Sequence, residues 1–395
     1  MHDSRSGLGD VVRSFGLLGV SAFGGPTAHL GYFREEFVTR RGWLSERAYA
    51  DLVALAQFLP GPASSQVGMA LGYHRAGWPG MLAAWVMFTA PSALILAVFG
   101  MFMLSAGADA EQGWIRGLLA AAVAVVFHAV SGMARSMANT RVTATIAVVS
   151  GLVVLAVPSP VTHLAVIIAA GVLGVMVLRG SSAGEPAESA AETTRPVSAR
   201  AAWVCLVSFF LLLGGLLLAA TAVGGYLLTR AAAYVQAGSL VFGGGHVVLP
   251  LLERLTVEPG WLSSSEFLAG YSAAQAVPGP LFTFAAYLGA VDGGWAGAGL
   301  ATIAIFAPSA LLMVAGLHFW GRWRHLPALR SAFTAINAAV VGLLGAAFWD
   351  PVLTHGVTGI ASLTIAAACW LGLAQWKLPP WSIALGAALA GWLLL

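Results

Sequence analysis

The chain predicts an all-α polytopic membrane protein of about thirteen transmembrane segments in two inverted-topology repeats with broken helices. Three observations lead there. Hydrophobic residues make up 59% and charged residues only 9% of the 395 positions, with a mean hydropathy of +0.85, whereas a soluble domain carries roughly 25% charge. Continuous apolar runs long enough for a ~30 Å hydrocarbon core recur along the whole length, without the alternation of a β-barrel. The two halves also repeat each other, and 48 glycines with 18 prolines suit closely packed, locally broken membrane helices.

In chain order the apolar segments are 10–32, 48–73, 77–105, 114–134, 141–157, 160–179 and 201–222, then 231–251, 266–291, 294–318, 331–349, 352–373 and 378–395. Residues 180–200 are small, polar and proline-containing, the composition of a flexible linker. The chain therefore divides into a first repeat at 1–179, a linker with a connecting helix at 180–225, and a second repeat at 226–395. His2, Asp3, Arg5 and Arg13 make the start a poor fit to a cleavable signal peptide. With a cytoplasmic N-terminus and thirteen crossings, most arginines fall inside. The loop 33–47 is the exception, carrying Arg34, Arg40, Arg41 and Arg47 on the outer side. Either that loop is functionally basic, or 48–73 is re-entrant and the parity changes; 266–291 poses the same choice.

The net charge of +3 is spread over short loops, so nucleic-acid binding is not implied. Lys377 is the only lysine and is followed by Leu378, which leaves no Walker A sequence and no direct use of ATP. Cys205 and Cys369 lie in apolar segments without cysteine or histidine partners, so neither a disulfide framework nor a metal site is expected, nor any cofactor. With no metal cluster, Ser-His pair on one helix face or cofactor box, an enzyme is the weakest reading.

The repeat runs at an offset of 217 to 219 residues. Phe23-Gly24-Gly25 recurs as Phe242-Gly243-Gly244, Glu35 as Glu253, and Gly42-Trp43-Leu44-Ser45 as Gly260-Trp261-Leu262-Ser263. Gln57 with Pro60-Gly61-Pro62 recurs as Gln275 with Pro278-Gly279-Pro280, and Ala90-Pro91-Ser92 as Ala307-Pro308-Ser309. Matching loops carry opposite charges: Asp109 and Glu111 against Arg322, Arg324 and Arg330. Opposite loop charge fits halves inserted in opposite orientations.

Two motifs break apolar segments at matching places. A helix cannot run through Pro60-Gly61-Pro62 or Pro278-Gly279-Pro280, and the freed backbone groups must be buried in protein or line a wet cavity. Half-helix N-termini there attract anions. Phe23-Gly24-Gly25-Pro26 and Phe242-Gly243-Gly244-Gly245 allow close backbone approach and an anion-binding nest. Packing kinks and small-residue helix contacts are the plain alternatives. Gln57, Ser64, Ser65, Gln66, Gln275 and Thr283 add neutral polar groups, and His29 and His246 flank the glycines. Glu35 and Glu253 fit proton coupling or a gating pair with Arg34 or Arg254, or merely a solvated interfacial charge. Arg75 fits anion attraction or interfacial anchoring. No acid is central in a segment, so a small oxyanion suits this site better than a cation.

These residues resemble the chromate ion transporter family in its long, two-domain form. The most specific stretches are FGGPTAHLGYFREEFV (23–38), QFLPGPASSQVG (57–68), VFGGGHVVLPLLE (241–253) and AGYSAAQAVPGPLFTFAAYLG (269–289). The resemblance implies a multi-pass plasma-membrane transporter that exports chromate, a sulfate analogue, and thereby confers resistance. The implied partners are chromate or a similar oxyanion and the lipid bilayer, with a homodimer compatible. An oxyanion channel, or a carrier for sulfate or another small anion, is the alternative.

Overall fold

The computed structural model describes residues 4–23, 25–106, 112–157, 160–178, 195–241, 248–323 and 326–395, and every regular element among them is helical. The first half holds α1 (Ser4–Ser21), α2 (Gly25–Phe33, continuing as a π-helical turn Arg34–Arg40), α3 (Glu46–Phe58), α4 (Ala63–Ala106), α5 (Gly113–Met137), α6 (Arg141–Ala156) and α7 (Pro160–Val177). After the connecting α8 (Ala199–Ala222) come α9 (Tyr226–Leu240), α10 (Val248–Thr256), α11 (Ser264–Ala276), a 3-10 turn Leu281–Thr283 and α12 (Phe284–Trp323). The chain ends with α13 (Pro327–Ala347), a π-helical turn Phe348–Leu353, α14 (Thr354–Gly356), α15 (Ile360–Ala374) and α16 (Pro380–Leu394). Among the described residues, five helical stretches, in α4, α5, α8, the 3-10 turn with α12, and α13 with its continuation, are long and apolar enough to cross a membrane.

Several predicted spans turn back on themselves. Phe15 of α1 stacks on Phe37 at 4.8 Å and meets the edge of Phe33 at 5.6 Å, so the chain after the first glycine motif runs back along α1. His74 Nε2 lies 3.0 Å from the Trp43 carbonyl oxygen, so α3 and the start of α4 leave and return to one place. A chain crossing a ~30 Å core between these residues would hold them far apart. In the second half the Tyr287 hydroxyl donates to the Glu266 carbonyl at 2.9 Å, which folds α12 back along α11. Arg230 of α9 lies 3.9 Å over the Trp261 ring beyond α10, which returns the α10 end to the α9 start. The segments 10–32, 48–73, 231–251 and 266–291 are thus helical hairpins rather than single spans. The proline motifs sit at the tips of the hairpins 48–73 and 266–291, because that is where a helix cannot continue.

The long helices also reverse. Within α4, Ala76 and Gly77 leave helical geometry, Gly77 at φ 67° and ψ −149°. Gly72 and Gly80 then back directly onto each other, whereas a continuous helix would separate them by about 12 Å. α12 repeats the turn at Gly293 and Gly294, the latter at φ 62° and ψ −152°, with Gly289 against Gly297. Only glycine accepts that φ cheaply, and only glycines allow so close a crossing. The reading of 77–105 and 294–318 as separate segments is therefore correct in its breakpoints.

The long limb of α4 ends beside the second turn: Met101 Sδ lies 3.9 Å from the position of a methyl on Gly294. From residue 78 to 101 a helix rises about 35 Å. The return limb of α12 brings His318 Nδ1 to 2.9 Å from the Val197 carbonyl oxygen, and neighbouring Arg195 Nη1 lies 3.0 Å from a methyl position on Gly77. Helices are also exchanged between halves. α5 packs on α15 and α16, while its counterpart α13 packs on α6 and α7.

Candidate anion site at the hairpin tips

The local sequence sets each hairpin. Ser45 caps α3, its hydroxyl accepting from Ala48 N–H at 3.2 Å. The matching Ser263 accepts from Glu266 N–H at 3.2 Å while Glu266 takes the Ser263 N–H at 2.8 Å, a reciprocal capping box. Each helix then ends at its proline break, with Gly61 at φ 114° and Gly279 at φ 106°.

The tips meet across the repeat boundary. Gly61 N–H donates to the Val241 carbonyl at 2.7 Å, and Gly279 N–H donates to the Ala22 carbonyl at 3.0 Å. Each proline break therefore pairs with the chain entering the other half's glycine motif. Behind them the exchange is repeated: a methyl on Gly61 would lie 2.6 Å from Ser309 Cβ, and one on Gly279 2.7 Å from Ser92 Oγ. Ser92 and Ser309 are buried, their hydroxyls donating to Thr89 and Phe306 carbonyls. Both serines belong to the repeated Ala-Pro-Ser motif, whose recurrence in the two halves is their signal in the sequence.

Side chains satisfy the opened backbone. Gln66 Nε2 donates to the Pro60 carbonyl at 2.8 Å, and Thr283 Oγ1 to the Pro280 carbonyl at 2.7 Å. Buried His29 has Nε2 3.0 Å from the Ala22 oxygen, the same carbonyl that receives Gly279. With Nε2 as donor, Nδ1 is left as an acceptor. His29 Nδ1, Ser65 Oγ, Gln66 Oε1 and Thr89 Oγ1 are buried without a hydrogen-bond partner among the described residues. Pro62, Pro278 and Pro280 are buried and Pro26 and Pro60 half-buried; Gln57 is exposed, while Gln275 is half-buried and partnered by Tyr271. Gly25 has φ 76° with open space where a side chain would start. Gly24, Gly243, Gly244, Gly245 and His246 lie outside the described residues.

The charged candidates separate. Arg34 Nε and Nη2 each donate to Glu46 at 2.8 Å, and Glu35 is exposed. Arg254, 4% exposed, bonds Glu258 at 2.7 Å and contacts His163. Glu253 faces a cavity of about 360 Å³ lined also by His163, Arg254, Glu258, Asp350 and His355. Burial, with Glu258 and Asp350 adding to it and Arg254 opposing, pushes its carboxyl up to about 7. Arg75 Nη2 pairs with Asp10 at 2.6 Å.

The chromate transporter profile matches residues 9–175 and again 228–392. The chain belongs to the chromate transporter family. It is 29% identical over 393 residues to the chromate transport protein of Pseudomonas aeruginosa, covering 96% of this chain and 90% of that protein. A probable chromate transport protein of Synechococcus elongatus is 29% identical over 352 residues, 88% of this chain and 85% of its own. An uncharacterized transporter of Bacillus subtilis is 30% identical over 168 residues, 94% of its length but 41% of this chain, the proportion of one repeat. No solved structure matches the chain. The family is one of transport proteins, not enzymes, and this member is membrane-embedded.

Proposed function

We propose that this transporter exports chromate, or a related sulfate-like oxyanion, across the plasma membrane by alternating access of two inverted halves around the four hairpin tips. The observation that carries this reading is the reciprocal pairing of Gly61 with Val241 and Gly279 with Ala22. Half-helix ends and opened backbone from both halves converge there, and amides with hydroxyls suit a tetrahedral anion with several oxygens.

The limb of about 35 Å between the bases of the two hairpin sets supports inversion, since it matches the ~30 Å core with a small excess. The four hairpins are then re-entrant. Crossings are made by the long limbs of α4 and α12 with α5, α6, α7, α8, α13, α15 and α16, fewer than the thirteen expected. Five of these crossings, the long limb of α4 with α5, α6, α7 and α8, precede the second half; that number is odd, so the halves face opposite ways. Among the described residues, every Arg and Lys except Arg116, Arg230 and Arg254 then shares the N-terminal face. The positive-inside rule makes that face cytoplasmic and removes the anomaly of loop 33–47.

Export draws on the membrane potential, with proton exchange at Glu253 and its outer-face cavity as the second source. The test is flux of chromate, sulfate, molybdate and phosphate into everted vesicles. Saturable chromate uptake, competed by sulfate, is expected. Non-saturating flux insensitive to uncouplers would favour an oxyanion channel, and uptake of sulfate without chromate would reassign the substrate.

A further inference from the structure

At the base of the first hairpin set, Arg75 pairs with Asp10 at 2.6 Å and its guanidinium carbon lies 5.4 Å over the Trp43 ring. At the base of the second, Arg230 pairs with Asp292 through both nitrogens at 3.0 Å and lies 3.9 Å over Trp261. Trp43 and Trp261 are repeat equivalents, and the offset of the long helices carries Arg75 onto Asp292. The charges have therefore changed places between the elements: the helix turn supplies the cation in one half and the anion in the other. What persists is the ion pair itself and the arginine's seat over the tryptophan.

We propose that these two charge-exchanged pairs are the latches of the transport cycle, Arg75–Asp10 closing the cytoplasmic side and Arg230–Asp292 the outer side. Each joins the three pieces that must separate for its side to open: the first helix of the half, the turn before α3 or α11, and the reversal of the long helix. Exchange of both signs preserves the attraction, whereas loss of either partner abolishes it. The outer pair is more enclosed, its side chains 19% and 7% exposed against 38% and 41% for the inner pair, so the outer latch holds harder. Trp43 and Trp261 shield the guanidinium and add cation–π attraction. This inference rests on the inverted reading above.

The test uses the full chain in membranes with Cys205 and Cys369 replaced by alanine and a reporter cysteine, Ala63→Cys, just behind the first proline break. Labelling by an impermeant maleimide is measured from each side in spheroplasts and everted vesicles. Asp10→Asn should raise labelling from the cytoplasmic side by roughly two- to fivefold, the scale of an exposed pair. Asp292→Asn should raise it from the outside and by more. The double exchange Arg75→Asp with Asp10→Arg should return labelling to the parental value, which a folding defect would not do. Unchanged labelling, or both variants opening the same side, overturns the latches. Chromate flux is measured separately, so loss of flux in the parent refutes the substrate and not the latches.

Discussion

Gly61 donates its amide to Val241 across the repeat boundary, with φ at 114° and Ser309 where its side chain would be. Only glycine, which has no Cβ, meets all three conditions without strain. Gly61→Ala and Gly279→Ala are each expected to cost about 1–3 kcal/mol from backbone strain alone, with overpacking against Ser309 or Ser92 in addition. Transport should fall to background while the protein still inserts, read by chromate flux against membrane abundance. Normal flux in both variants would remove the crossed tips from the mechanism.

Gln66 replaces the hydrogen bond that the proline break takes from the Pro60 carbonyl. Gln66→Leu keeps the bulk and leaves that carbonyl unpaired, a penalty of about 1–3 kcal/mol. Thermal denaturation in detergent should show a lowered midpoint, and Gln66→Glu should in addition weaken anion affinity by repulsion. An unshifted midpoint in Gln66→Leu would show that water already serves the carbonyl.

Trp78 and Trp295 occupy equivalent positions, and both are exposed. Inverted halves bring them to opposite faces. A single cysteine replacing Trp295 should react with an impermeant maleimide in spheroplasts, and one replacing Trp78 only in everted vesicles. Reaction of both from one side would contradict inversion.

Glu253 holds its proton to about 7, against an ordinary 4.5, because burial disfavours the carboxylate. The folded protein thus binds more protons than the unfolded chain between these values, and this group's stabilising contribution declines as pH rises through that window. Flux should change between pH 6 and 8 with a midpoint of about 7, and Glu253→Gln should flatten the profile. A parental profile in Glu253→Gln would assign coupling elsewhere; Asp350→Asn distinguishes the neighbouring acid.

A dianion leaving a negative interior gains roughly 4.6 kcal/mol per 100 mV. Imposing a potential of the appropriate sign on vesicles should therefore drive chromate accumulation without nucleotide. Dependence on ATP under an imposed potential would refute this driving force.

Composition determined a membrane protein, because a chain with 9% charge is stable only in lipid, and continuous rather than alternating apolar runs made it helical. Duplication was equally legible, since glycines and prolines mark backbone conformations that cannot shift: Gly61 and Gly279, Gly77 and Gly294, Gly42 and Gly260 all have positive φ. The breaks at the proline motifs were legible for the same reason. Span number was not, because hydropathy measures how apolar a segment is and cannot distinguish a helix that crosses from a hairpin that returns. That required Trp43 beside His74 and Gly72 against Gly80. Nor could sequence reveal Arg230 with Asp292, 62 residues apart, or that Glu253 and Arg254 share a cavity with His163, Glu258 and Asp350. Contacts between distant segments depend on how hairpins dock, and docking is decided by the packing of whole faces rather than by any local pattern.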